Sequence, residues 1–242
     1  MFGLGTLINV GCIILGGLLG LLGGKRIPER VRNGISMANG VCVLFIGIAG
    51  ALTGLLSLSG DRLVSGNSMM TVCCLAIGTL MGELLNLEAL VERFGVFLRN
   101  RTGNARDPRF VEGFVTASLT VCIGAMAVVG SVEDGMRGDP SILATKGVLD
   151  LVIILVMTGS LGKGCIFSAV PVALVQGSLT LLARLIAPLI TEAAMNNLSF
   201  IGSILIFCVG VNLVWDRKIR VANMLPALLC AVAAAFLPSS LL

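Results

Sequence analysis

Lys146 and Asp150 stand four residues apart, and Asp150 is the only aspartate inside any of the chain's long apolar runs. On a helix that spacing places both groups on one face, where they can pair. An ionisable side chain at mid-membrane costs about 2.5 to 3.5 kcal/mol on insertion scales, so its presence points to handling of an ion or solute. Other polar residues could extend a path from this pair. Thr116, Thr120, Gly124, Ala127 and Ser131 recur at helical spacing and make a stripe of hydroxyl and small groups along one predicted helix. Such a stripe either lines a polar path or packs helices closely. Pro171 precedes Gln176-Gly177 and Thr180, and broken backbone there could present polar groups at mid-depth. Asn9 lies deep in the first apolar run and Asn212 near the inner boundary of the run 193–215, and a buried amide needs a partner.

The same residues argue against an enzyme. The chain has no histidine, which removes Ser-His dyads and H-E-x-x-H zinc sites. A paired-aspartate protease lacks its second acid, and only a Ser-Lys dyad of Lys163 with Ser160 or Ser168 can be drawn. All eight cysteines lie in apolar runs with no C-x-x-C pair, so they read as small buried hydrophobes, and no metal or other cofactor is expected.

The elements that must carry these residues are membrane helices. Seven uncharged runs of at least twenty residues cover 1–24, 33–60, 63–82, 113–132, 164–183, 193–215 and 221–242. About 20 apolar residues at a rise of about 1.5 Å cross a hydrocarbon core of roughly 30 Å. An eighth run, 147–162, is interrupted only by Asp150 and is short for a full crossing. Asp139-Pro140-Ser141 supplies a helix-start signal that would lengthen it, and a re-entrant segment is the alternative. Composition agrees: 56% hydrophobic, 12% charged, 31 glycines in 242 residues and a mean hydropathy of +1.02. The expected fold is all-α, a polytopic helix bundle of about eight transmembrane segments forming one integral membrane domain over 1–242, with no candidate strands.

With both termini outside, thirteen Lys and Arg residues fall in inner loops against four in outer ones, the bias expected of a cytoplasmic-membrane protein. The net charge of +4 arises at membrane boundaries without interleaved aromatics, which favours contact with anionic lipid over nucleic acid. Leu84, Leu87, Leu90, Val91, Phe94 and Leu98 share helical spacing and predict an interfacial amphipathic helix over 84–98. Gly16, Gly20 and Gly24 form a small-x-x-x-small ridge that admits a close helix neighbour, in the same chain or in a second copy of a homo-oligomer.

Several separate motifs carry a family resemblance: Gly5 to Val10, Lys25 to Arg30, Gly113 to Leu119, Cys122 to Ala127, Glu133 to Asp139, Lys146 to Asp150, Gln176 to Ala183 and Asn223 to Ala227. Together they resemble the bacterial multi-pass membrane family catalogued as domain of unknown function 554. The resemblance implies a bacterial inner-membrane protein and supplies no reaction. From the residues, the leading expectation is a small transporter or channel-like protein for a small solute or ion. The alternative is a non-transporting membrane scaffold or partner-binding subunit.

Overall fold

The computed structural model describes residues 3–24, 28–59, 62–105, 107–122, 125–189, 191–215 and 219–237. Each of the eight expected runs holds an apolar helix. Five described helical segments are long and apolar enough to cross a membrane: Leu4–Gly23, Ser68–Leu85, Ser141–Leu161, Lys163–Leu181 and Glu192–Trp215. A sixth crossing arises if the bent pair Phe110–Cys122 and Met126–Arg137 counts as one, and Gly40–Leu55 and Val221–Ala234 are shorter apolar helices. The basic residues Lys25, Arg26, Arg106, Arg217 and Lys218, used above for orientation, lie outside the described residues.

The helices gather into two compact units, Met1–Asn39 with Leu90–Pro188, and Gly40–Ala89 with Leu189–Leu242. In the first, α1 (Leu4–Gly24) packs along α7 (Ser141–Leu161), and α5 (Phe110–Cys122), α6 (Ala125–Arg137) and α8 (Ala169–Leu181) complete the bundle. The glycine ridge of α1 makes its closest approach to α7: a Cβ on Gly16 would collide with the Leu151 carbonyl, and one on Gly20 with that of Leu155. Gly16 and Gly20 thus each have a close neighbour inside the same chain. Gly24 is the last residue of α1.

Helix α7 starts at Ser141 and runs 21 residues, long enough to cross, so the short run 147–162 is the distal part of a longer helix. Asp139 Oδ1 accepts hydrogen bonds from the Ser141 hydroxyl (2.6 Å) and backbone N–H (3.0 Å), which anchor the chain just before the helix. These bonds hold the Asp139 carboxyl below its usual range.

Two expected helices are broken. The run 113–132 is divided into α5 and α6, whose axes are inclined by 64°. The stripe from Thr116 to Ser131 is thus shared between two helices and does not form one continuous face, and Gly124 lies outside the described residues. In the run 164–183 the irregularity precedes Pro171: a 3-10 turn, Lys163–Ser168, leads into α8, with Pro171 in its first turn. Proline is tolerated there because a first-turn N–H has no intrahelical acceptor. Gln176-Gly177 is regular helix.

In the second unit, α2 (Glu29–Leu55, from Gly40 onward) and α10 (Glu192–Trp215) meet through glycines on both sides, Gly47 on the Phe207 backbone and Gly210 on that of Leu44. Helix α3 (Ser68–Leu85) meets α11 (Val221–Met224) and α12 (Pro226–Ala234) through Gly82 and Gly78. Between α2 and α3 lies an antiparallel pair, β1 (Leu56–Ser59) and β2 (Arg62–Ser65), with Leu56 opposite Ser65. This corrects the expectation of no strands. Leu56-Ser57-Leu58-Ser59 alternates with the period of a strand, a signal hidden inside an uncharged run. The amphipathic helix is α4 (Leu87–Arg101), not 84–98, because α3 extends to Leu85. Asn86 in the left-handed conformation (φ 49°) separates the two, which asparagine tolerates better than most residues.

Replacing Gly20 by Ala should lower the thermal stability of the detergent-solubilised protein by about 1 to 3 kcal/mol, the usual cost of overpacking. Gly11→Ala, where nothing approaches within 4 Å, should be neutral or slightly stabilising. Equal melting behaviour of the two variants would refute the close α1–α7 approach.

Candidate functional site

The first unit has an inverted surface pattern. On α7 Lys146, Gly147, Asp150, Ile154 and Thr158 are buried, while Val148, Leu149 and Val152 are exposed. Apolar residues outward and charges inward is the arrangement for a helix whose outer face meets lipid.

Lys146 and Asp150 form a buried ion pair, at 6% and 4% exposure. Lys146 Nζ also donates to the backbone carbonyl of Val121 (2.8 Å). That carbonyl is available because α5 ends at Cys122, and the last four carbonyls of a helix lack intrahelical donors. The negative end of the α5 dipole adds to the attraction. Asn9 of α1 lies beside the pair: its backbone rests against Gly147, and its side chain approaches the Asp150 carboxylate. Asn9 Nδ2 donates to Gln176 Oε1 on α8 (3.2 Å). Four helices thus converge on one polar centre.

That centre is not saturated. Asn9 Oδ1 and Gln176 Nε2 are buried without a hydrogen-bond partner. The single bond between the two amides leaves one acceptor and one donor unengaged. Each such group costs about 1 to 3 kcal/mol when it is kept from water.

One turn along α1 and α8, the Thr6 and Thr180 hydroxyls meet at 3.5 Å. Beyond them the N–H of Gly5, in the first turn of α1, donates to Asp134 Oδ2 (3.0 Å). Asp134 and Ser131, one turn apart on α6, are both fully buried, and Asp134 Oδ1 and Ser131 Oγ have no partner. In the other direction an apolar layer of Ile13, Ala117, Ile154, Met157 and Cys165 separates the pair from a cavity of about 350 Å³. Thr158, Ser160, Asp107, Arg109 and Lys163 are among its lining residues.

Of the residues singled out in the sequence, Lys146, Asp150, Asn9, Gln176 and Thr180 come together with Thr6, and Ser131 lies beside Asp134. Thr116 and Thr120 sit on α5, where the Thr120 hydroxyl donates to the Thr116 carbonyl (2.8 Å). Asn212 belongs to the second unit, where its side chain exchanges two hydrogen bonds with the Ile219 backbone (2.8 and 2.9 Å). The Ser-Lys dyad is not formed: Ser160 and Ser168 donate to nearby helix carbonyls, and Lys163 reaches Asn104. Asp134 and Thr6 were missed. Asp134 lies three residues after Ser131 and continues the spacing of the stripe, just past the point where Glu133 ends the uncharged run.

The profile of the family described as "Protein of unknown function (DUF554)" matches residues 4–236, nearly the whole chain. The chain belongs to this family. It is 32% identical over 234 residues to "Uncharacterized protein YqgA" of Escherichia coli (strain K12), covering 95% of this chain and 94% of that protein. It is 30% identical over 225 residues to "Uncharacterized membrane protein YdfK" of Bacillus subtilis (strain 168), covering 93% and 92%. No solved structure matches. The DUF554 chain is a multi-pass helical membrane protein.

Removing one member of the buried pair leaves the other charge uncompensated. Lys146→Met alone should therefore destabilise the purified protein by about 3 to 5 kcal/mol, whereas Lys146→Met with Asp150→Leu should recover most of that loss. Chemical or thermal denaturation of the single and double variants in one detergent reads the coupling. Additive losses would mean that the pair does not interact.

Proposed function

We propose that this DUF554 protein is a small transporter of the bacterial cytoplasmic membrane, with both termini outside, that moves a small solute or ion without chemically altering it. The observation that carries this reading is the buried Lys146–Asp150 pair together with the unpaired Asn9 Oδ1 and Gln176 Nε2. Unsatisfied polar atoms in a low-dielectric interior are costly, and a solute that engages them offsets that cost. The carbonyl offered by the end of α5 and the 64° inclination of α6 resemble the discontinuous helices from which transporters build sites. The cavity beside Thr158 lies about 12 Å along α7 from Asp150, at the rise of the α-helix. In this reading it is an inner vestibule, and the apolar layer between is the closed gate.

A non-transporting scaffold is the second reading, favoured by that same apolar layer, which leaves the polar centre enclosed. Flux separates the two. Liposomes holding the wild-type protein should pass protons, alkali cations or small organic solutes faster than empty ones. Asp150→Asn should reduce that flux by at least about tenfold, equivalent to about 1.4 kcal/mol. Equal flux through both proteins would remove Asp150 from the mechanism, and no flux above empty liposomes across the panel would favour the scaffold.

A further inference from the structure

The polar centre carries four kinds of recognition group at once: an ammonium, a carboxylate, an unengaged amide acceptor and an unengaged amide donor. A simple cation would be repelled by Lys146 and a simple anion by Asp150. Either would also leave a net charge in an interior that now holds a neutral pair. A molecule with both charges avoids this, because it exchanges one internal ion pair for two new ones and the sum stays zero. Resting on the transporter reading, we propose that the solute is a compact zwitterion of the amino-acid type, bound between Lys146 and Asp150.

The surrounding groups fit each half of such a molecule. A carboxylate on Lys146 Nζ accepts from the free Gln176 amide hydrogen. An ammonium on Asp150 has three hydrogens to place, and Asn9 Oδ1 and the Val121 carbonyl are two further acceptors from the same centre. The size limit follows from the helix. Lys146 and Asp150 are four residues apart, about 6 Å of rise, and their head groups touch, so a molecule with its charges on the same or adjacent carbons needs the smallest separation. The vestibule agrees in charge, since Asp107, Arg109 and Lys163 bring both signs to its wall.

The test needs no variant at first. Glycine and L-alanine are titrated against the purified protein in lipid nanodiscs by calorimetry, beside acetate and propionate, and methylamine and ethylamine, as partners with one charge removed. The expected result is binding of the zwitterions at least about tenfold tighter than any single-charge analogue, or about 1.4 kcal/mol. Gln176→Leu, which leaves the ion pair intact but removes the acceptor of the Asn9 amide, should weaken glycine binding at least about tenfold and lower thermal stability as well, so the comparison of zwitterions with single-charge analogues on the wild-type protein decides. Equal binding of acetate or methylamine, or no binding of either zwitterion, overturns the inference. Failures of the two readings are distinguishable. Flux of a cation or proton with no zwitterion binding refutes the zwitterion alone. Zwitterion binding with no flux of any solute, glycine included, refutes transport alone.

Discussion

Hydrocarbon offers no hydrogen bonds, so every charge placed inside it must find its partner within the chain, and in the first unit that condition centres on Lys146 and Asp150. Once both sit on α7, that face must turn inward and its apolar face outward, as the exposed Val148, Leu149 and Val152 record. The remaining ammonium hydrogens then need acceptors. The end of α5 provides one in the Val121 carbonyl, which an unbroken helix across 113–132 would have bonded internally. Gly147 admits the Asn9 backbone, so α1 brings an amide to the same level, and Gln176 of α8 meets it. The end of α5 and Gly147 on the α1–α7 seam thus bring polar groups to the level of the charges.

Much of this could be read from side-chain types alone. Hydropathy located apolar helix in each of the eight runs because lipid imposes a length and a composition on anything that crosses it. The Lys146–Asp150 pair was legible because four-residue spacing has a single geometric meaning on a helix. That Asn9 and Gln176 each required a partner was also legible, but not that they partner each other. They are 167 residues apart, and no local rule carries pairing over that distance.

What could not be read has identifiable causes. A window that counts charges treats Leu56 to Ser59 as more helix, although the alternation is that of a strand. It also stops at Glu133 and so assigns Asp134 to a loop, while the fold buries Asp134 against the first turn of α1. There its carboxyl oxygen accepts from an N–H group that has no intrahelical acceptor. Nothing near Asp134 in sequence announces that environment, because α1 supplies it from 129 residues away.

The order of the charges on α7 bears on why they are there. With Lys146 preceding Asp150, the basic residue lies toward the N-terminus and the acid toward the C-terminus, the less favourable order for a helix because it opposes the backbone dipole. A buried pair is in any case weak support for a fold, since apolar residues of similar volume often serve as well or better. Stability alone therefore gives little reason for this arrangement. Its distinguishing property is that opposite charges one helical turn apart on α7 are accompanied by a free acceptor on α1 and a free donor on α8. A packing device would need close contact and satisfied groups, which the glycine seams already provide. Groups left unsatisfied around a neutral pair are instead suited to a visitor that is itself neutral and polar.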